Sequence, residues 1–104
     1  MYQFTTPTLK LNISGIDFND VKEFRVSFQK GTKKLTKVIE ISDPRIDKEN
    51  NLLYVDLTQR ETASLPNGTA IVQALVVMNN GRVLATDPVD INVSPVIDEV
   101  YINE

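Results

Sequence analysis

The feature that most constrains this chain is a period of two in its apolar residues, repeated in short runs along its length. Leu9, Leu11 and Ile13 alternate with Thr8, Lys10 and Asn12. Phe24, Val26 and Phe28 alternate with Glu23, Arg25, Ser27 and Gln29. Leu53, Val55 and Leu57 alternate with Leu52, Tyr54 and Asp56. Successive side chains of a strand point to opposite faces, so each run predicts a strand with one face on a core and one toward water. Leu35, Lys37, Ile39 and Ile41 mark a further strand less cleanly, because Val38 interrupts its polar face.

The later runs are more apolar. Thr69 to Met78 carries Ile71, Val72, Ala74, Leu75, Val76, Val77 and Met78, a pattern that predicts a central strand buried on both faces. Arg82 to Ala85 and Val89 to Val93 form a second run broken by Asp87-Pro88. Proline cannot donate to a ladder, so a kink, a bulge or a sheet edge is expected there. Between the two runs, Asn80-Gly81 tolerates positive φ and predicts a hairpin closed by a type I′ turn. Ser14-Gly15 and Lys30-Gly31 end earlier strands, and Ser42-Asp43-Pro44 through Asn51 reads as a polar loop. Thr58-Gln59-Arg60-Glu61 has the capping-box pattern and starts a short helix that Pro66-Asn67-Gly68 stops. Together these signals predict an all-β fold: an immunoglobulin-like β-sandwich of about seven strands with one short connecting helix, residues 1–104 forming a single domain. A small barrel is the alternative. With neither Cys nor Trp in the chain, the likeness to immunoglobulin domains is one of architecture only.

Composition narrows the chemistry. At 104 residues and 41% apolar, the chain has enough hydrophobic content for one core. Zero cysteines exclude a disulfide framework, a thiolate zinc site and a cysteine nucleophile. Zero histidines remove the usual general base and the commonest transition-metal ligand. No catalytic residue, metal ligand or cofactor is therefore assigned. Asp17-Phe18-Asn19-Asp20 and the acids from Asp43 to Glu49 are oxygen-rich, but neither follows the calcium-loop spacing, and turn chemistry accounts for them. The longest apolar stretch, Ala74 to Met78, is far below the roughly 20 residues of a membrane-spanning helix. The first residues show neither the basic nor the apolar region of a secretory signal.

Charge is unevenly distributed. Lys22, Arg25, Lys30, Lys33, Lys34 and Lys37 oppose Glu23 alone within residues 22–37, whereas Asp87, Asp90, Asp98, Glu99 and Glu104 meet no base. Three readings fit: solvated faces, complementary surfaces on neighbouring copies, or a nucleic-acid patch. The last is disfavoured by the net charge of −3 and by the inward alternation of Phe24 and Phe28. Beyond Ser94-Pro95, the residues Val96, Ile97, Val100, Tyr101 and Ile102 either fold back on the core or dock on a partner, and Tyr2 and Phe4 pose the same question. The expectation is that at least one terminus packs on a neighbouring subunit, with 94–104 as the docking tail.

Four stretches together carry a resemblance. They are Thr5-Thr6-Pro7-Thr8, Phe24 to Gly31, Leu53 to Thr62, and Ile71 to Val77 continuing through Asn80-Gly81 to Asp87. They resemble a group of short structural proteins of phages and prophages of Gram-positive bacteria, and the layout is similar to the immunoglobulin-like N-terminal domain of upper-baseplate proteins. Arg60, Ala74, Pro44 and Pro88 depart from that pattern. The resemblance implies a non-enzymatic virion, tail or baseplate assembly protein, residing in the host cytoplasm during assembly and then in the virion. Its expected partners are other virion or baseplate proteins and further copies of itself, with no nucleic acid and no membrane. The residues expected to form its interaction surface are the six bases of 22–37 and the five apolar residues of the tail. The alternative is a carbohydrate- or ligand-binding sandwich, for which Tyr54 must face solvent beside a concavity. A metal-dependent enzyme using acidic residues is the remaining class.

Overall fold

A computed structural model of the chain describes residues 1–102. Two antiparallel sheets make up the fold. The smaller has strand order β1 (Thr8–Asn12), β5 (Leu52–Asp56), β4 (Ile46–Asp47). The larger has order β3 (Lys33–Glu40), β2 (Val21–Lys30), β6 (Gly68–Met78), and β6 is then paired along its far edge by both β7 (Val83–Ala85) and β8 (Val89–Val93). One helix, α1 (Gln59–Ser64), carries the chain from β5 to β6. This is the expected all-β, sandwich-like architecture. Two details of strand count differ from the sequence reading: β4 lies inside the predicted polar loop, and the broken run is two strands on one edge.

The core follows the alternation. Phe24, Val26 and Phe28 of β2 and Leu53 and Val55 of β5 are fully buried, with Phe18 and Leu65 filling space around them. The Phe18 and Phe24 rings lie 4.9 Å apart and tilted by 54°, an arrangement that suits their quadrupoles. Thr58 and Glu61 form the predicted capping box: the Thr58 hydroxyl accepts from the Glu61 amide at 3.2 Å, and Glu61 Oε1 accepts from the Thr58 amide at 2.8 Å.

The break at Asp87-Pro88 is a bulge on a sheet edge. Leu75 pairs with Ala85, but Val72 pairs with Val89, so three residues, Thr86 to Pro88, oppose the two residues Gln73 and Ala74. The Thr86 hydroxyl accepts from the Ala74 amide at 3.0 Å, while the Thr86 amide donates to the Ala74 carbonyl at 2.9 Å. The extra residue also switches parity, so that Leu84 before it and Ile91 after it both face inward.

The hairpin between β6 and β7 is present, but its turn is not type I′. Gly81 has φ +90 whereas Asn80 does not enter the left-handed region. The Gly81 amide donates to the Met78 carbonyl at 3.0 Å, and Met78 in turn donates to the Arg82 carbonyl at 2.8 Å. The loop is thus three residues, Asn79 to Gly81, a type I turn followed by a left-handed glycine. The register places Val77 opposite Val83, which leaves one residue too many for a two-residue turn.

Strand β6 is central, yet it is not buried on both faces. Ala70, Val72, Ala74 and Val76 are buried, while Ile71 and Leu75 on the other face are 48% and 39% exposed. A two-layered fold covers one face of each sheet, and no element covers the outside of the larger one among the described residues.

Candidate interaction surfaces

The basic run does not form one patch, because strand parity divides it. Arg25 lies on the outer face of β2, with Nη1 3.5 Å from the Glu23 carboxylate, and Lys34 lies on the same face of β3. Lys22 is exposed at an irregularity where β2 slips against β6. Lys30 sits at the end of β2, its Cε 3.0 Å from where a β-carbon on Gly68 would be, so that glycine makes room for the lysine stem. Lys33 is cross-strand from Lys30 and exposed.

Lys37 lies on the inner side of β3, between Leu35 and Ile39, and its Nζ donates to Glu61 Oε1 at 2.9 Å. It ties β3 to α1. Burial would raise the pKa of Glu61, but the Thr58 amide and the Lys37 ammonium outweigh it and hold the carboxyl below its ordinary range.

Both terminal segments, as far as residue 102, fold back on the domain. Tyr2 bridges to Ser94, with Gln3 donating to the Ser94 carbonyl and Ser94 to the Met1 carbonyl, each at 2.8 Å. In the tail, the Tyr101 ring packs on Phe4 at 5.0 Å between centroids, and the Arg60 guanidinium lies over the same ring, 4.7 Å from its centroid. Gln59 fastens both segments: its Nε2 donates to the carbonyls of Phe4 and Val100, and its Oε1 accepts from the Ile102 amide at 2.6 Å. Sequence reasoning missed Gln59, since a polar helix residue carries no mark of what will reach it. Val96 is half-buried, while Ile97 and Ile102 stay exposed. Residues 103 and 104, which end the expected docking tail, lie outside the described residues.

The acidic loops act as turns. Asp17 accepts from the Asn19 amide, Asp43 from the Arg45 amide and Asp47 from the Asn50 amide and side chain. The Asn50 side chain, with the Asn50 and Glu49 amides, holds the Asp47 carboxyl below its ordinary range. Among the described residues no group of three or more His, Cys, Asp or Glu is placed to hold a metal ion. No helix among them is long and apolar enough to cross a membrane, which says nothing of a β-barrel.

Two surfaces remain. The first is a cleft of about 740 Å³ between β1 and the strands β6, β7 and β8, with Leu9, Leu11, Ile13, Val72, Leu84 and Ile91 in its walls. Tyr54 does not line it; that ring is half-buried with the Arg45 guanidinium 5.5 Å over its centroid. The second is the outer face of the larger sheet. There Val38, Ile71, Leu75 and Val83 are 39–56% exposed, and Val77 and Ala85 lie among them by register. Sequence reading had no signal for the cleft, which depends on how far the sheets stand apart. Comparison with protein-family models finds no match for this chain, and neither does comparison with the sequences of curated proteins.

Proposed function

We propose that this chain is a non-enzymatic docking domain of immunoglobulin-like kind that takes part in assembling a phage or prophage tail or baseplate. The observation that carries the docking reading is the uncovered outer face of the five-stranded sheet. A contiguous group of exposed apolar side chains, such as Leu75, Val83 and Ala85, is a surface feature that protein docking sites share. The placement in a phage particle is supported by the sequence resemblance, and residence in the host cytoplasm and then in the virion follows from that placement.

The test is incorporation into the particle. Wild-type chain, co-expressed with the tail and baseplate proteins of one phage, co-sediments with the assembled structure. Leu75→Asp, exposed and therefore tolerated by the fold, is expected to be left in the supernatant with an unchanged melting temperature. A wild-type chain that joins no particle, or a Leu75→Asp chain that joins as well as wild type, overturns the proposal.

The cleft favours a second reading, a module for an apolar ligand. Its volume falls within the roughly 300–1,000 Å³ of small-molecule sites. Its walls contain no aromatic ring, so a sugar-stacking platform is absent from it. A rise in melting temperature with medium-chain fatty acids supports that reading, and no shift at millimolar ligand removes it.

A further inference from the structure

We infer that the partner on the outer face of the larger sheet is a second copy of this chain, packed face to face about a two-fold axis that lies across the strands. This rests on the docking reading and names its occupant. Across the sheet the outward residues form rows: Lys34, Gln29, Ile71 and Asp90 in the first, and Glu40, Glu23, Val77 and Val83 in the last. Between them lie Thr36, Ser27 and Gln73, then Val38, Arg25, Leu75 and Ala85. A two-fold axis across the strands, between these inner rows, lays the first row of one copy on the last row of the other.

Three of the four outer juxtapositions are complementary. Lys34 meets Glu40 of the other copy, Gln29 meets Glu23 and Ile71 meets Val77, each occurring twice by symmetry, while Asp90 lies over Val83 at the rim. Leu75 then lies beside the axis, over Gln73 of the other copy and diagonal to its own symmetry mate. Among the described residues Lys34 and Glu40 have no ion-pair partner within the chain, so both are available. The alternative two-fold, along the strands, also gives Lys34 a carboxylate, that of Asp90, but places both Glu23 on Val77 and Glu40 on Val83, so it sets two carboxylates of each copy on apolar surface where the first arrangement sets one. Both arrangements keep the strands of the two sheets aligned, the packing that sheets favour. Four strands by four rows cover only about 15 Å by 20 Å between outermost Cα atoms. The contact is therefore at the small end of specific interfaces, and the pairing is expected to be concentration-dependent.

Sedimentation equilibrium on the full chain tests this. Wild type is expected to show a monomer–dimer equilibrium. Lys34→Glu and Glu40→Lys each place like charges together and are expected to weaken it about tenfold. The double variant restores opposite charges and is expected to return to within about threefold of wild type. Leu75→Asp is expected to abolish pairing. Circular dichroism and melting temperature confirm that each variant is folded. A wild-type chain that is monomeric to millimolar concentration overturns the inference, as does a double variant no better than either single one. If the chain is monomeric while Leu75→Asp still drops out of the particle, the docking function stands and self-pairing falls. If Leu75→Asp alters neither, both fall.

Discussion

Thr62→Val should unfasten the N-terminal segment from α1 without opening a cavity. Thr62 is fully buried, and its hydroxyl accepts from the Thr5 amide at 3.2 Å. The same hydroxyl has its proton within reach of the Thr5 carbonyl at 2.9 Å and the Gln59 carbonyl at 3.2 Å. Valine has the same shape, so the change removes one accepted and one donated hydrogen bond and strands a partly buried Thr5 amide. Two such bonds are worth about 2 kcal/mol net, with an added cost for the stranded amide. One more buried methyl group returns about 0.8 kcal/mol. The expected loss is about 2–3 kcal/mol, which for a domain of this size lowers the melting temperature by roughly 8–24 °C. Differential scanning calorimetry reads the stability, and hydrogen exchange at the Thr5 amide reads the local release. Thr62→Ser keeps the hydroxyl and is expected to retain Thr5 protection. A Thr62→Val protein that melts within about 2 °C of wild type with Thr5 still protected would refute the reasoning.

Acid should act through Glu61, whose carboxyl lies below its ordinary value of 4.5 in the fold. An unfolded chain then binds the proton first as pH falls, so this contribution is complete above the unfolded value and is lost as pH drops through the folded one. Urea denaturation at falling pH should show a smaller acid-dependent loss in Glu61→Gln than in wild type. Lys37→Met keeps the stem and removes the ammonium, and is expected to cost about 1 kcal/mol and raise the Glu61 pKa, readable by carboxyl NMR titration. Gly81→Ala forces a β-carbon into the left-handed region, at φ +90, and should lower stability by about 1 kcal/mol or more in chemical denaturation. Thr86→Val deprives the Ala74 amide of its acceptor at the bulge, and faster amide exchange at Ala74 is the expected signature.

How much of this was legible depends on what each feature is made of. The alternation in β2 and β5 and the Thr58–Glu61 cap are local, and period and spacing were enough to find them. Lys37 was legible in part: it shares parity with Leu35 and Ile39, and that parity, more than its charge, decides that it faces inward to Glu61. The run of β6 misled because an unbroken apolar stretch is equally compatible with burial on two faces and with one face reserved for a partner. Asn80-Gly81 announced a hairpin but not its loop length, which the register of Val77 against Val83 settles. The rows of the outer face, the cleft and the grip of Gln59 on both termini arise only when distant segments meet.

The bulge at Thr86 to Pro88 bears on how such a molecule behaves in a crowd. Pro88 offers no backbone hydrogen at the lip of the larger sheet, and the two short strands on either side are out of step with each other. A passing chain therefore finds no straight ladder to extend there, and lysines 33 and 34 discourage it on the opposite lip. Growth strand by strand is hindered at both lips of the larger sheet, while broadside contact stays open. Under the docking proposal, a chain held at high concentration is thereby steered toward broadside contact and away from open-ended growth.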